Sequence, residues 1–173
     1  MEKRSVFMPV VLFGIGTGAV MVIFSLVFFL LNVDEKSFVN SLVYIILVAG
    51  MFWGMYNIRE NRLDGAMKYG KAVGTGFWIG FVASLIVSIY YYFYLTYLNP
   101  GILDNVMVEA QNKILEQNPD ISEEDLDRAL SMVEMFSKPY ISAIVQIFSN
   151  SVISIIFSLI IAIFVKREDR TIA

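Results

Sequence analysis

Residues 6–31, 38–56, 73–98 and 140–165 contain no Asp, Glu, Lys or Arg, and each stretch is close to the length that an α-helix needs to cross a bilayer core. No other feature narrows the possible folds as much. A chain that is 57% hydrophobic and 17% charged over 173 residues, with a mean hydropathy of +0.66, carries more apolar surface than a soluble domain of this size can bury. The reading is an all-α, polytopic membrane protein: four spanning helices in a single membrane domain over residues 1–173.

Val6 to Leu31 is too long for the apolar region of a signal peptide and no small-residue cleavage site follows it, so it is expected to be a retained first span. Asn32 to Lys36 is a tight connector. Trp53 lies near the far end of the second span. Ile58 to Lys71 is read as a basic connector with a turn at Asp64-Gly65. The third span ends in Tyr90, Tyr91, Tyr92, Phe93, Tyr94 and Tyr97 before Asn99-Pro100-Gly101. Amphipathic rings collect where hydrocarbon meets headgroup, so Trp53, Trp78, Tyr91, Tyr94 and Tyr97 are expected to anchor at the interfaces.

Between Ile102 and Lys138 the composition changes. Leu103, Val106, Met107, Ala110 and Ile114, and then Leu126, Ala129, Leu130, Val133 and Phe136, recur at helical spacing, which predicts an amphipathic hairpin over about 101–138. Ser122 followed by Asp125 fits a capping box, with Asp120 as a rival cap. Pro139 suits the first turn of the last span.

Lys3, Arg4, Arg59, Arg62, Lys68, Lys71, Lys166, Arg167 and Arg170 are nine of the thirteen basic residues, and they flank the spans on one side. The positive-inside rule then puts both termini in the cytoplasm and the acidic hairpin outside.

Two ladders stand out. Ala72, Gly76, Gly80, Ser84 and Ser88 recur every fourth residue in the third span, and Ser142, Gln146, Asn150, Ser154, Ser158 and Ala162 do so in the fourth. Small residues let helix backbones approach, and Ser, Asn and Gln can hydrogen-bond across the contact. These positions are expected to be helix-packing residues; a polar path or a dimer contact are the other readings. The first and third spans also share Gly-Thr-Gly, at 16–18 and 74–76. Glu123, Glu124, Asp125 and Asp127 lack the spacing of a calcium loop and fit the acidic first turn of a solvated helix.

With no Cys and no His, thiolate and histidine metal sites and Ser-His or Cys-His catalysis are excluded. No cofactor, metal or catalytic residue is expected, and a net charge of −3 gives no nucleic-acid signal. Spans without an ionisable group argue against a pump or proton-driven carrier. The expected partners are membrane lipid and either further copies of the chain or another membrane protein. The leading function is that of an accessory or scaffold subunit acting through helix-helix contacts. The alternative is a passive channel or facilitator for a small solute, with an enzyme ranked last.

The charged start before a glycine-containing span, Tyr69-Gly70-Lys71-Ala72 leading into a laddered third span, the tyrosine-rich end at Asn99-Pro100, the acidic Met-containing hairpin through Met132, Met135 and Phe136, and the Pro139 start together resemble a bacterial family of small four-helix inner-membrane proteins known only as a domain of unknown function. The resemblance implies four spans in a bacterial cytoplasmic membrane and carries over no functional residue.

Overall fold

The computed structural model describes residues 5–33 and 41–167. The charged start, the second half of the first connector (Asp34 to Lys36), the beginning of the expected second span (Phe38 to Asn40) and Glu168 to Arg170 lie outside the described residues. Those described form six α-helices: α1 Phe7–Leu30, α2 Leu42–Arg62, α3 Tyr69–Phe93, α4 Ile102–Gln117, α5 Glu123–Ser137 and α6 Pro139–Val165. Four are long and apolar enough to cross a membrane, α3 being continued by a π-helical turn, Tyr94–Leu98. No strand occurs among the described residues beyond an isolated bridge between Met67 and Arg167.

Local chemistry explains the helix ends. α1 stops in a Schellman motif: Asn32 takes φ +52°, its N–H donates to Phe29 O at 3.1 Å, and the Val33 N–H donates to Phe28 O at 3.1 Å. Asn tolerates the left-handed region better than most residues. The expected turn at Asp64-Gly65 is present, with φ of +50° and +79°. The flanking helices outrun expectation. α2 continues past Tyr56 to Arg62, and α3 begins at Tyr69 rather than Val73, so the connector shrinks to 63–68. Polar residues can continue a helix beyond the hydrocarbon, where apolar periodicity gives no sign of them.

The chain divides into two compact units: Met1–Val87 with Ile147–Ala173, and Ser88–Gln146. In the first unit α3 is central, with half of its most apolar stretch buried against a third or less for the other three spans. It runs parallel to α1: a β-carbon on Gly14 would meet Val82 Cβ at 2.5 Å, and one on Gly18 would meet Ile86 Cβ at 2.8 Å. It runs antiparallel to α2, whose Met51 and Met55 reach Gly80 and Gly76. Met51, Met55, Ile58, Ile79 and Ala83 are fully buried at the centre of this core. Flexible methionines fill the irregular space that the glycines leave.

In the second unit α4 and α5 form the expected hairpin. Ser122 is the N-cap of α5: its hydroxyl accepts from the Asp125 N–H at 3.2 Å and donates to Asp125 Oδ2 at 2.8 Å. Pro139 opens α6, where its missing N–H costs nothing.

Candidate functional site

The two ladders meet. A β-carbon on Gly76 would lie 2.9 Å from Ser158 Cβ, and one on Gly80 would lie 2.6 Å from Ser154 Cβ, so α3 and α6 approach to backbone distance at both levels. The two pairs are one helical turn apart in opposite chain directions, which fixes an antiparallel register. Stepping by four, that register sets Ala72 level with Ala162 and Ser84 level with Asn150. All four are buried. Within the second unit, Ser88 is buried, whereas Gln146 and Ser142 are half-buried.

Three of the buried hydroxyls serve their own helix. Ser84 Oγ donates to Phe81 O at 2.7 Å, Ser158 Oγ to Ile155 O at 2.8 Å, and Thr75 Oγ1 to Lys71 O at 2.8 Å. Ser142 Oγ donates to Phe136 O at 2.9 Å, joining the start of α6 to the end of α5. The Ser88 and Ser154 hydroxyls are buried with no hydrogen-bond partner among the described residues. In apolar surroundings such a group costs about 1–3 kcal/mol.

The two Gly-Thr-Gly elements have matching environments. Thr17 and Thr75 are buried, Gly18 and Gly76 are tightly packed, and a β-carbon on Gly16 or Gly74 would meet nothing within 4 Å. Of the expected anchors, Trp53, Trp78 and Tyr97 are exposed. Tyr91 and Tyr94 are half-buried and stacked at 6.4 Å between ring centroids, and Asn99 Nδ2 donates to the Tyr94 hydroxyl at 3.1 Å. Trp78 stands nine residues into α3, about 14 Å along its axis.

Three arrangements escape the sequence reading. The first is the π turn, closed by the Asn99 N–H donating to Tyr94 O at 2.8 Å, which buries Leu95. Its only sequence cue is Pro100, which lacks an N–H to continue the helix. The second is a cleft of about 410 Å³ in the second unit, where Leu95, Leu103, Val106, Val133 and Phe136 meet beside Tyr91 and Ser142. The third is an apolar groove of about 610 Å³ between the N-terminal halves of α1 and α3.

The charged groups lie outside the apolar stretches. Arg59 is enclosed: Nη1 donates to Val165 O at 2.8 Å, Nη2 pairs with Glu60 Oε1 at 2.7 Å, and the guanidinium lies 4.8 Å from the Tyr56 ring centre. It thereby caps the carbonyl end of α6. Met67 and Arg167 exchange backbone hydrogen bonds of 2.8 and 2.9 Å beside it. On α5, Glu124 and Asp125 pair with Arg128, and among the described residues no three acidic side chains converge as metal ligands would.

A family model described as "Protein of unknown function (DUF4199)" matches residues 12–167, from α1 to the Arg167 bridge. The chain belongs to the DUF4199 family. Comparison with curated proteins and with solved structures returned no match. What the DUF4199 fold does has therefore to be argued from its geometry.

Proposed function

We propose that this DUF4199 protein is an accessory or scaffold subunit of the bacterial cytoplasmic membrane, one membrane domain that acts through helix-helix contacts and carries out no catalysis of its own. Its termini are cytoplasmic and the α4/α5 hairpin lies outside, with Trp53, Tyr91, Tyr94 and Tyr97 at the interfaces, whereas Trp78, seven residues beyond Lys71 in α3, lies deeper than an interfacial anchor. The observation that carries this reading is the seam between α3 and α6. At Gly76/Ser158 and Gly80/Ser154 there is no room for a methyl group, and the Ser84 and Ser158 hydroxyls are bonded to their own helices. The seam has the character of a structural joint. Meanwhile Met132, Met135 and Phe136 remain exposed on α5 beside its carboxylates, a surface suited to contact with another protein.

The test is the mass of the particle extracted from native membranes in mild detergent, with its co-purifying proteins identified. A homo-oligomer or a stoichiometric second protein, released when Met132 and Phe136 are changed to Asp with helical content preserved, is the expected result. A monomer without partners overturns the proposal.

A passive pathway for a small solute along Gln146, Asn150 and Ser154 is the second reading, and the unpartnered Ser154 hydroxyl favours it. Liposome flux abolished by Asn150→Leu would establish it in place of the first.

A further inference from the structure

The groove between α1 and α3 is open on one side and shut at one end. Gly14 and Val82 bring the helices together at the shut end. From there towards their N-termini the helices leave a trough of about 610 Å³ with Val10 and Thr75 buried in its floor. Phe7 and Trp78, 72% and 54% exposed, stand at its rim. Gly74 keeps it clear, since a β-carbon there would meet nothing within 4 Å. Apart from Lys71 and the indole of Trp78 the lining is apolar, and the Thr75 hydroxyl is turned onto the Lys71 carbonyl. Lys71 stands at the open end, exposed and without an ion pair among the described residues.

The dimensions limit what can fill this space. Lys71 to Val82 spans eleven residues of α3, about 17 Å, close to the roughly 15 Å of hydrocarbon in one leaflet. An occupant must therefore be apolar along its length and negatively charged at the end that meets Lys71.

We propose that the α1/α3 groove is a binding site for an anionic phospholipid of the bilayer, with an acyl chain lying between Phe7 and Trp78 and the phosphate paired with Lys71. The site is independent of the accessory role argued above: it uses the lipid-facing side of α1 and α3, and none of the hairpin.

The test uses the full-length chain with Trp53→Phe, which leaves Trp78 as its single indole, reconstituted in bilayers containing doxyl-labelled phosphatidylglycerol or doxyl-labelled phosphatidylcholine. Trp78 fluorescence is expected to report about fivefold stronger association with phosphatidylglycerol, the preference one lysine supplies. Lys71→Gln should abolish the preference, and Gly74→Leu should reduce quenching by both lipids by filling the trough. Gly16→Leu, at an exposed position with equal room on α1, should change neither. In the Trp78→Phe chain, Trp53 should be quenched equally by the two lipids. Equal quenching of Trp78 by both lipids, a preference that survives Lys71→Gln, or quenching unaltered by Gly74→Leu would each overturn the proposal.

Discussion

Gly80 and Ser154 are pressed together so that a β-carbon on the glycine would fall 2.6 Å from the serine Cβ, with the hydroxyl nearer still. Neither partner can move cheaply, because Met51 packs against the same glycine. The pair locks α3 to α6 in register.

Gly80→Ala therefore sets two effects against each other. Alanine gains about 1 kcal/mol over glycine in a helix interior. Overpacking a tight contact costs about 1–3 kcal/mol, and here the obstructing atoms include a rigid Cβ, so the clash wins. Gly80→Ala is expected to destabilise the chain in detergent-denaturation titrations followed by circular dichroism. Gly74→Ala, in the same helix but facing open space, should be neutral or stabilise by up to about 1 kcal/mol. If both substitutions moved stability in the same direction, the close approach would be discounted.

Ser154→Ala should have the opposite sign. The hydroxyl is fully buried and unpartnered, so removing it relieves a desolvation penalty and loosens the contact with Gly80. A gain of about 1 kcal/mol in the same titration is expected. Ser158→Ala removes a hydroxyl that donates to Ile155 O and should come out closer to neutral. A clear loss on Ser154→Ala would mean that the hydroxyl has a partner in the membrane, which would favour the solute-pathway reading.

The four apolar helices were legible because hydropathy accumulates over about twenty residues and no alternative fold can absorb four such runs. The period-four pattern was visible in each helix, but that Gly76 approaches Ser158 and Gly80 approaches Ser154 was not, because a ladder of small residues fixes neither its partner helix nor its register. Which helix Gly14 and Gly18 would meet was not legible: a glycine pair offers a groove without naming its partner, and the partner proved to be α3. The π turn at Tyr94–Leu98 is a shift in hydrogen-bond register with no composition of its own. The α1/α3 groove needs α1 beside α3 with Gly74 facing open space, and the sequence does not name α1 as the neighbour of α3.

Arg59→Ala should loosen the end of α6. The side chain is 11% exposed, and its hydrogen bond to Val165 O satisfies a carbonyl that the helix itself cannot. A charge-assisted bond contributes about 1.5 kcal/mol or more, so amide exchange in the last turn of α6 and at Arg167 is expected to accelerate about tenfold. Arg59→Lys should recover part of the protection, since an ammonium can reach a carbonyl but cannot also hold Glu60 and lie over Tyr56. Unaltered exchange in Arg59→Ala would assign the anchoring of α6 to the Met67–Arg167 bridge alone.

The orientation of the bundle is testable with little background, because the chain has no cysteine. The N-terminal ends of α1 and α3 and the C-terminal ends of α2 and α6 share one end of the first unit, as the α1/α3 groove, the Arg59–Val165 bond and the Met67–Arg167 bridge require. That end gathers Arg59, Arg62, Lys68, Lys71, Lys166 and Arg167 against Glu60 and Asp64 among the described residues. A basic excess of this kind is retained on the cytoplasmic side. A membrane-impermeant maleimide is therefore expected to label Gln117→Cys, in the exposed end of α4, on intact cells. It should label Asn61→Cys, in the exposed end of α2, only after permeabilisation. The reverse pattern would invert the topology and move the Lys71 end of the groove to the outer leaflet. Labelling of both positions on intact cells would be incompatible with α3 crossing the membrane between them.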